Sequence, residues 1–278
     1  MGIRLHKPTT AGRRKSSVQT FDDITCVSPL KKFVKSQKQM AGRTKGKITV
    51  RHRGGGVKRN IRVIDWKFDK MDIPATIKTI EYDPNRGARI ALVAYADGEL
   101  RYILAPRDLK VGAQIISSKT KGEPSCGNRF CLKDIPIGME VYNIELQPGS
   151  GGQIVRGAGT SATLLAVEGD KATLRLPSGE VRLVLNSCMA SIGNVSNPDW
   201  RLVRWGKAGR TRLRSIKPTV RGKAMNPCDH PHGGGEARNP IGMTHPKTPT
   251  GKHALGVKTR RIKTSNKLIL SRRKGKKK

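Results

Sequence analysis

Residues 89 to 104 read RIALVAYADGELRYIL, two β-rich runs separated by Asp97-Gly98. An Asp-Gly pair between such runs is a strong short-range signal for a β-hairpin. The alternating stretch ATIKTIEYD lies before it at 75–83, and AQIISS follows at 113–118. Short strands separated by turn signals predict an antiparallel barrel or sandwich.

A second set of β-rich segments begins after a passage rich in proline, glycine and cysteine at 122–138. It comprises MEVYNIEL (139–146), ATLLAVEGDKATLRL (162–176) and EVRLVL (180–185), with turn signals at 169–170 and 177–179. In KATLRL, Ala172, Leu174 and Leu176 share one face, as a half-buried strand requires. Two small all-β barrels in tandem fit this pattern better than one large domain.

Helix signals are scarce. The strongest is NPDWRLVRW at 197–205, where Asn197 is placed to cap a helix and Pro198 suits its first turn. Trp200 and Val203 then lie three residues apart, on one face. We expect one short helix to start there.

The charge distribution divides the chain into three parts. The 278 residues carry a net charge of +36, from 56 Lys and Arg against 20 Asp and Glu. Residues 60–199 hold 17 basic and 16 acidic side chains, whereas 1–59 hold 16 against 2 and 200–278 hold 23 against 2. A nearly neutral centre therefore has two strongly basic arms, and we expect the arms to need a polyanionic partner.

A membrane is the weaker candidate for that partner. The start of the sequence, MGIRLHKPTT, has no apolar signal region, and the most apolar run, IALVAYA, is far too short to span a bilayer. The five cysteines are irregularly spaced, which does not suit a disulfide framework. We expect reduced thiols in a cytosol-like compartment and no membrane partner.

The arms lack the apolar residues for a core, so we expect them to order against the polyanion. The last 21 residues, fully extended, could reach roughly 70 Å into a large RNA at about 3.3 Å per residue.

Three glycine-rich basic loops are candidate phosphate-binding elements: RHRGGGVKR (51–59), PGSGGQIVRGAGTSA (148–162) and DHPHGGGEAR (229–238). Glycines let the backbone approach phosphates closely while nearby cations neutralise them. A flexible basic turn is the alternative reading of any one loop, and the recurrence of the pattern favours binding. No stretch matches a nucleotide-hydrolysing P-loop.

The stretch MNPCDHPHGGGEARNP at 225–240 invites two other readings. Cys126, Cys131, Cys228, His230 and His232 could be combined into a zinc site, but their spacing lies outside the usual ligand patterns. His230 could shuttle protons, yet no partner group stands at a fixed spacing from it. We favour a rigid RNA-fitting loop that carries no metal.

Other chemistries fit less well. A nuclease or polymerase would need clustered carboxylates to hold Mg²⁺, and the acids here are scattered. Aromatic residues are only 4% of the chain, too few for a surface that mainly stacks bases. Trp66 reads as a core residue rather than a stacking platform. We expect no enzyme activity. We expect the chain to contact the phosphates and sugars of folded RNA and to recognise its shape, with Mg²⁺ present only through the bound RNA.

Several segments together resemble one known family. VRHRGGGVKR, IEYDPNRGARIALV, GGQIVRGAGTSA and PTVRGKAMNPCDHPHGGGEAR are similar to the bacterial-type, universal second protein family of the large ribosomal subunit. The matching segments run in order from about residue 40 to the tail. Residues 1–40 match loosely, and Cys228 stands where the family often has valine.

The resemblance implies a mainly β fold, with an OB-fold barrel at 60–125 and an SH3-like barrel at 126–199. The basic extensions would cover 1–59 and 200–278. It implies a structural constituent of the large subunit that binds ribosomal RNA, contacts neighbouring ribosomal proteins and the small subunit, and supports subunit association, tRNA binding and the peptidyl-transferase region. Such a chain would act in the ribosome, cytoplasmic or organellar. A free-standing RNA chaperone or nucleic-acid-packaging protein is the alternative.

The resemblance places Arg86 and Arg156 at positions that the family uses to grip RNA, and His230 at one where a catalytic role was once proposed. From these matches and the basic loops we expect RNA contacts from the following residues: Arg51, His52, Arg53, Gly54, Gly55, Gly56, Lys58, Arg59, Arg86, Arg156, Arg201, Arg204, Arg221, His230, His232, Gly233, Gly234, Gly235, Arg238, Lys258, Arg260 and Arg261.

Overall fold

A computed structural model describes residues 2–37, 42–236 and 239–273. The chain divides into two compact units. Unit 1 comprises residues 1–38, 58–208 and 265–278, and unit 2 comprises residues 39–57 and 209–264.

The strands are β1 (Ile3–Leu5), β2 (Ser17–Gln19), β3 (Val34–Ser36), β4 (Arg43–Thr44), β5 (Lys47–Ile48), β6 (Asn60–Arg62), β7 (Ala75–Glu81), β8 (Ile90–Tyr95), β9 (Leu100–Leu104), β10 (Gln114–Ile115), β11 (Arg129–Cys131), β12 (Glu140–Tyr142), β13 (Ala162–Glu168), β14 (Lys171–Arg175), β15 (Val181–Leu185), β16 (Met189–Ile192) and β17 (Ile269–Ser271). The helices are α1 (Ala208–Leu213) and short 3-10 turns at Lys31–Phe33, Leu132–Asp134, Pro198–Leu202, Gly222–Ala224 and Thr264–Leu268.

The first sheet of unit 1 is antiparallel, with strand order β10-β7-β8-β9. One side of the sheet is the hairpin predicted from 89–104, with β8 inside the sheet and β9 at its edge. Gly98 has φ +83°, which permits the tight turn, and the Tyr95 N–H donates to the Glu99 carbonyl at 2.9 Å. The prediction of a hairpin turn at Asp97-Gly98 is therefore confirmed.

The second sheet has strand order β11-β16-β12-β13-β14-β15-β17, with every neighbouring pair antiparallel. In β14, Ala172 and Leu174 are buried while Lys171 and Arg175 are exposed. The predicted alternation is therefore correct. A register shift between Leu164 and Ala166 marks a bulge, which bends the strand pair.

The core lies in the middle of the chain. Among the described residues, every buried apolar side chain falls between Ile64 and Val195. One cluster fills the second sheet, two lie on the first, and a fourth, made of Ala88, Leu104, Tyr142 and Val195, joins them. The mainly β fold expected from the sequence, an OB-type barrel followed by an SH3-like barrel, is confirmed.

The N-terminal segment 2–37 makes specific contacts with the first barrel, although its composition gives no core. Asp23 forms a two-point ion pair with Arg89 at 2.8 and 3.1 Å, and Arg89 is only 2% exposed. The Leu30 N–H donates to the Tyr102 hydroxyl at 3.0 Å. Because these polar contacts join residues far apart in sequence, no periodic sequence pattern predicts them.

The helix expected at 197 is a 3-10 turn over Pro198–Leu202, and the prediction of a capping Asn197 was wrong. Asn197 adopts left-handed φ +62° and makes no side-chain cap bond. Its buried amide instead donates to the Gly87 carbonyl at 2.6 Å and pairs with the Gln19 amide. Tertiary hydrogen bonds thus replace the local cap.

The C-terminal segment returns to the second barrel. Strand β17 pairs with β15, with Ser271 opposite Val181 and Ile269 opposite Arg182. Residues 269–271 are therefore extended, as a β-strand requires, and they complete the edge of this sheet.

Unit 2 is built differently. Its described part holds the two-residue strands β4 and β5, most of α1 and the turn at Gly222–Ala224, with His230 as its largest buried residue. No helix in the three described ranges is both long and apolar enough to cross a membrane.

Candidate RNA interface

The loop DPNRGAR at 83–89 is held by a buried carboxylate. Asp83 is 0% exposed; it accepts hydrogen bonds from the Asn85 N–H at 2.9 Å and from Arg86 Nε at 2.6 Å. The side chain of Asn85 donates to the Asn60 carbonyl at 2.7 Å, which ties the loop to the start of β6. Arg86 therefore leaves a rigid turn, with its side chain 23% exposed.

The loop that leads to Arg156 is fixed by a buried ion pair. Glu145 accepts from Arg129 at 3.1 Å, and both side chains are at most 1% exposed. The same carboxylate accepts the N–H groups of Gly149 and Gly151 at 3.1 and 3.2 Å. Burial lowers the pKa of Arg129, and the attraction of Glu145 opposes that shift.

Glycines 151 and 152 bring this loop against Trp66. The Gly152 N–H donates to the Trp66 carbonyl at 2.8 Å. A Cβ on Gly151, where φ is +75°, would lie 2.7 Å from the same carbonyl oxygen. The glycine-rich sequence is thus explained here by a close approach of two protein segments.

Arg86 and Arg156, chosen separately from the sequence, meet on one aromatic ring. The guanidinium carbon of Arg156 lies 4.4 Å from the Trp66 ring centroid, and that of Arg86 lies 5.2 Å from it. Partial burial, followed by repulsion from Arg86, lowers the pKa of Arg156. The sequence identified both arginines but assigned Trp66 to the core; it is half-buried and packs beside two core clusters.

The other predicted residues of unit 1 are more dispersed. Arg59 donates to the Pro84 carbonyl at 3.2 Å, so it borders the Arg86 loop. Lys58, Arg201 and Arg204 are exposed, and the Arg204 backbone N–H donates to the Ser17 hydroxyl at 2.8 Å.

In unit 2, the loop RHRGGG folds against residues 212–218. Arg51 and Arg53 are exposed, whereas His52 is half-buried and its Nδ1 lies 3.2 Å from the Pro218 carbonyl. The Gly54 N–H donates to the Ser215 carbonyl at 3.1 Å. A Cβ on Gly56 would lie 2.6 Å from Ser215 Oγ. Here Gly56 accommodates a neighbouring segment and Gly55 has a left-handed φ of +65°, while contact with phosphate stays a prediction.

The loop around His230 is folded on itself. His230 is 7% exposed, and its Nδ1 accepts the His232 N–H at 2.9 Å; His232 Nε2 accepts the Lys247 N–H at 2.8 Å. Burial, then the proximity of His232 and Arg51, lowers the pKa of His230. Both imidazoles thus have a ring nitrogen occupied as an acceptor, a structural use of histidine.

The glycines after His232 are needed by the backbone. A Cβ on Gly233 would lie 2.6 Å from the Met225 carbonyl, and Gly234 and Gly235 have φ +87° and +76°. Arg221 borders a polar cavity of about 560 Å³ with Lys223, Met225 and Gly234. Lys258, Arg260 and Arg261 are exposed, and Arg238 lies outside the described residues.

Metal ligands are not clustered in the described ranges, where no three His, Cys, Asp or Glu side chains are placed to hold an ion. Cys126 and Cys131 belong to unit 1, and Cys228, His230 and His232 to unit 2. All five cysteines are free, and burial raises the pKa of the Cys188 thiol to about 11.

Sequence reasoning missed the residues that support the arginines. Asp83 and Asn85 stand beside Arg86 in DPNRGAR, so the Asp-Pro-Asn turn was a usable local signal. Glu145 and Arg129 are 16 residues apart and left no such signal. Gly222 was also missed: a Cβ there would overlap the His230 ring.

Two family models match the chain. Residues 30–117 match the ribosomal protein L2 RNA-binding N-terminal domain, and residues 125–251 match the ribosomal protein L2 C-terminal domain. Together they cover both barrels and both glycine-rich loops of unit 2. The family is a structural RNA-binding component of the large ribosomal subunit, not an enzyme. This chain, with its neutral two-barrel core and basic flanks, belongs to the ribosomal protein L2 family.

Proposed function

We propose that the chain grips large-subunit ribosomal RNA through two kinds of contact. Arg86 of the first barrel and Arg156 of the second bind backbone phosphate, with Arg59 bordering the Arg86 loop and Lys58 next to Arg59 in sequence. The glycine-rich loops of unit 2 fit folded RNA by shape. The observation that carries the proposal is the pair of guanidinium groups on Trp66, at 4.4 and 5.2 Å, because such a pair is stabilised by an anion.

The charge partition supports a division of labour. Residues 60–199 are nearly neutral and hold the core, while 1–59 and 200–278 hold most of the positive charge. We propose an OB-type barrel at 60–125, an SH3-like barrel at 126–199 and basic segments that enter RNA on either side. Mg²⁺ belongs to the RNA in this account.

We further propose that the bound protein contacts neighbouring ribosomal proteins and the small subunit, and so supports subunit association. The basic loops of unit 2 would support the peptidyl-transferase region and tRNA binding as a rigid lining. The family match supports these finer roles, and a cytoplasmic ribosome is the proposed location.

The His230 loop is proposed to act by shape rather than by proton transfer. His230 Nδ1 already accepts the His232 N–H at 2.9 Å, which leaves Nε2 to donate to RNA. His230→Gln should then impair subunit assembly more than peptidyl transfer by subunits that do assemble. A large rate loss in fully assembled subunits, with unchanged RNA structure around the loop, would instead favour catalysis.

The first test is binding to the cognate ribosomal RNA fragment. Arg86→Ala and Arg156→Ala should each weaken binding and reduce the salt slope by roughly 0.7 to 0.9 for each lost phosphate contact. Lysine at either position should rescue only partly, because a point charge lacks the planar fork. Tagged chain should also co-sediment with large subunits in high salt. Wild-type affinity and salt slope in both alanine variants would exclude these residues as contacts.

A further inference from the structure

Arginines on aromatic rings recur in unit 1, and almost all are neutralised locally. Five lie over a ring in the described part of the chain, and four of these have a carboxylate within 3.1 Å. The pairs are Arg86 with Asp83, Arg89 with Asp23, Arg101 with Asp65, and Arg129 with Glu145. The fifth, Arg156, has no ion pair within the described ranges. It is the exception.

The charge of Arg156 is unfavourable in its position. It shares the Trp66 ring with another cation, Arg86. The carboxylate of Asp83 lies 2.6 Å from Arg86 and is already paired with it. Two like charges on one small surface repel each other, and partial burial weakens the screening by water. The free protein thus holds a local excess of positive charge in a fixed place.

Trp66 itself is held by both barrels. Trp66 packs against one core cluster of the first barrel and against the cluster of Ala88, Leu104, Tyr142 and Val195, which has residues from both barrels. Its carbonyl accepts the Gly152 N–H at 2.8 Å, from the loop that carries Arg156. The ring is therefore a fixed support for two side chains that come from different barrels.

We propose that Trp66 is a positioning residue, which holds Arg86 and Arg156 together as one composite site for a single stretch of RNA backbone. The phosphate supplies the anion for Arg156, which has no ion pair within the described ranges. This inference rests on the proposed function and deepens it: the two arginines act as a unit, and a residue without charge sets their geometry.

The other reading is that the cation–ring contacts only stabilise the fold. Tyr95 offers a matched comparison in the same unit, since Lys70 and Arg101 lie 5.1 and 5.8 Å from its ring centroid. There the two cations are neutralised by Asp97, Glu99, Asp65 and Asp69. An aromatic ring in the same unit whose cations are already paired should not affect RNA binding.

The experiment measures affinity and salt slope for the ribosomal RNA fragment with full-length Trp66→Met, Trp66→Phe, Arg86→Ala, Arg156→Ala and the Trp66→Met/Arg156→Ala double variant. Tyr95→Leu is the stability control. Two cation–π contacts of ordinary strength correspond to a loss of RNA affinity of about five- to thirty-fold for Trp66→Met. Trp66→Phe, which keeps a ring, should lose less than about threefold. Arg156→Ala should reduce RNA affinity less when it is made in Trp66→Met than when it is made in the wild type.

The outcomes separate this inference from the proposed function. If both arginine variants bind weakly but Trp66→Met binds like the wild type, positioning by Trp66 is refuted and the RNA contacts stand. If both arginine variants bind like the wild type, the RNA contacts fail. A loss in Trp66→Met that Tyr95→Leu matches at equal loss of stability would reduce Trp66 to a fold residue.

If Trp66→Met does not fold, the same test is made with the arginine substitutions in Trp66→Phe. Tryptophan binds cations more strongly than phenylalanine, so the coupling between Arg86→Ala and Arg156→Ala should be weaker with Trp66→Phe than in the wild type. Equal coupling in the two backgrounds would overturn the inference.

Discussion

The buried Glu145 carboxylate gives the sharpest stability prediction, because a single substitution removes several contacts. In Glu145→Ala, Arg129 loses its carboxylate partner, which lies at 3.1 Å, in a site where both side chains are at most 1% exposed. The N–H groups of Gly149, Gly151 and Met189, at 3.1 to 3.2 Å, also lose their acceptor.

The size of the effect follows from these contacts. Breaking a buried ion pair from one side costs about 3–5 kcal/mol, since it leaves a buried charge without compensation. The free energy of unfolding of a typical domain is about 5–15 kcal/mol, so the variant should lose a large share of its stability. Replacing both partners, as in Arg129→Met/Glu145→Leu, should cost less than Glu145→Ala alone, because no unpaired charge remains.

Urea unfolding of the free protein, followed by circular dichroism, measures these differences. Glu168→Ala is the control, because Glu168 is exposed and its loss should change the unfolding free energy by less than about 0.5 kcal/mol. The folded fraction of Glu145→Ala should also bind RNA less well, since the loop to Arg156 has lost its support. A cost below about 1 kcal/mol for Glu145→Ala, or a double variant less stable than it, would refute the reasoning.

Three further predictions concern the segments around the core. Asp23→Ala should release the N-terminal segment 2–37, because it removes the partner of buried Arg89, and limited proteolysis should cut there first; unchanged protection would contradict this. Gly222→Ala should displace the His230 ring, seen as altered imidazole shifts in NMR, while an unchanged spectrum would rule out the tight contact. The pKa of His230 should lie below its ordinary 6.5. Its contribution to the free energy of unfolding is then complete above that unfolded-state pKa and is lost as the pH falls through the lower pKa of the folded state. An NMR titration that gives a pKa at or above 6.5 would disprove this.

Local patterns were enough to predict the strands β7 to β10 of the first sheet and β12 to β15 of the second. The hairpin at 89–104 combines β-rich runs with Asp97-Gly98, and the structure has β8 and β9 there with a two-sheet core behind them. The charge partition also predicted the position of the core, because apolar side chains and acids are concentrated in the same 140 residues.

Contacts between distant residues account for what was not predicted. Asn197 looked like a helix cap, but Gln19 and Gly87 use its amide across the fold. Trp66 looked like core, yet it supports Arg86 and Arg156, which are 70 residues apart in sequence. The return of β17 to β15 likewise depends on an exposed sheet edge that no local pattern reveals.

The stoichiometry of binding tests the central claim most directly. A structural RNA-binding protein with a composite arginine site requires one tight site on one RNA. Titration of the full-length chain into purified large-subunit ribosomal RNA at a salt concentration that suppresses weak contacts should saturate at one protein per RNA. Arg86→Ala/Arg156→Ala should weaken that single site. Binding of many copies per RNA, with no saturation at one and no effect of the two substitutions, would contradict the account and favour a coating chaperone or packaging protein.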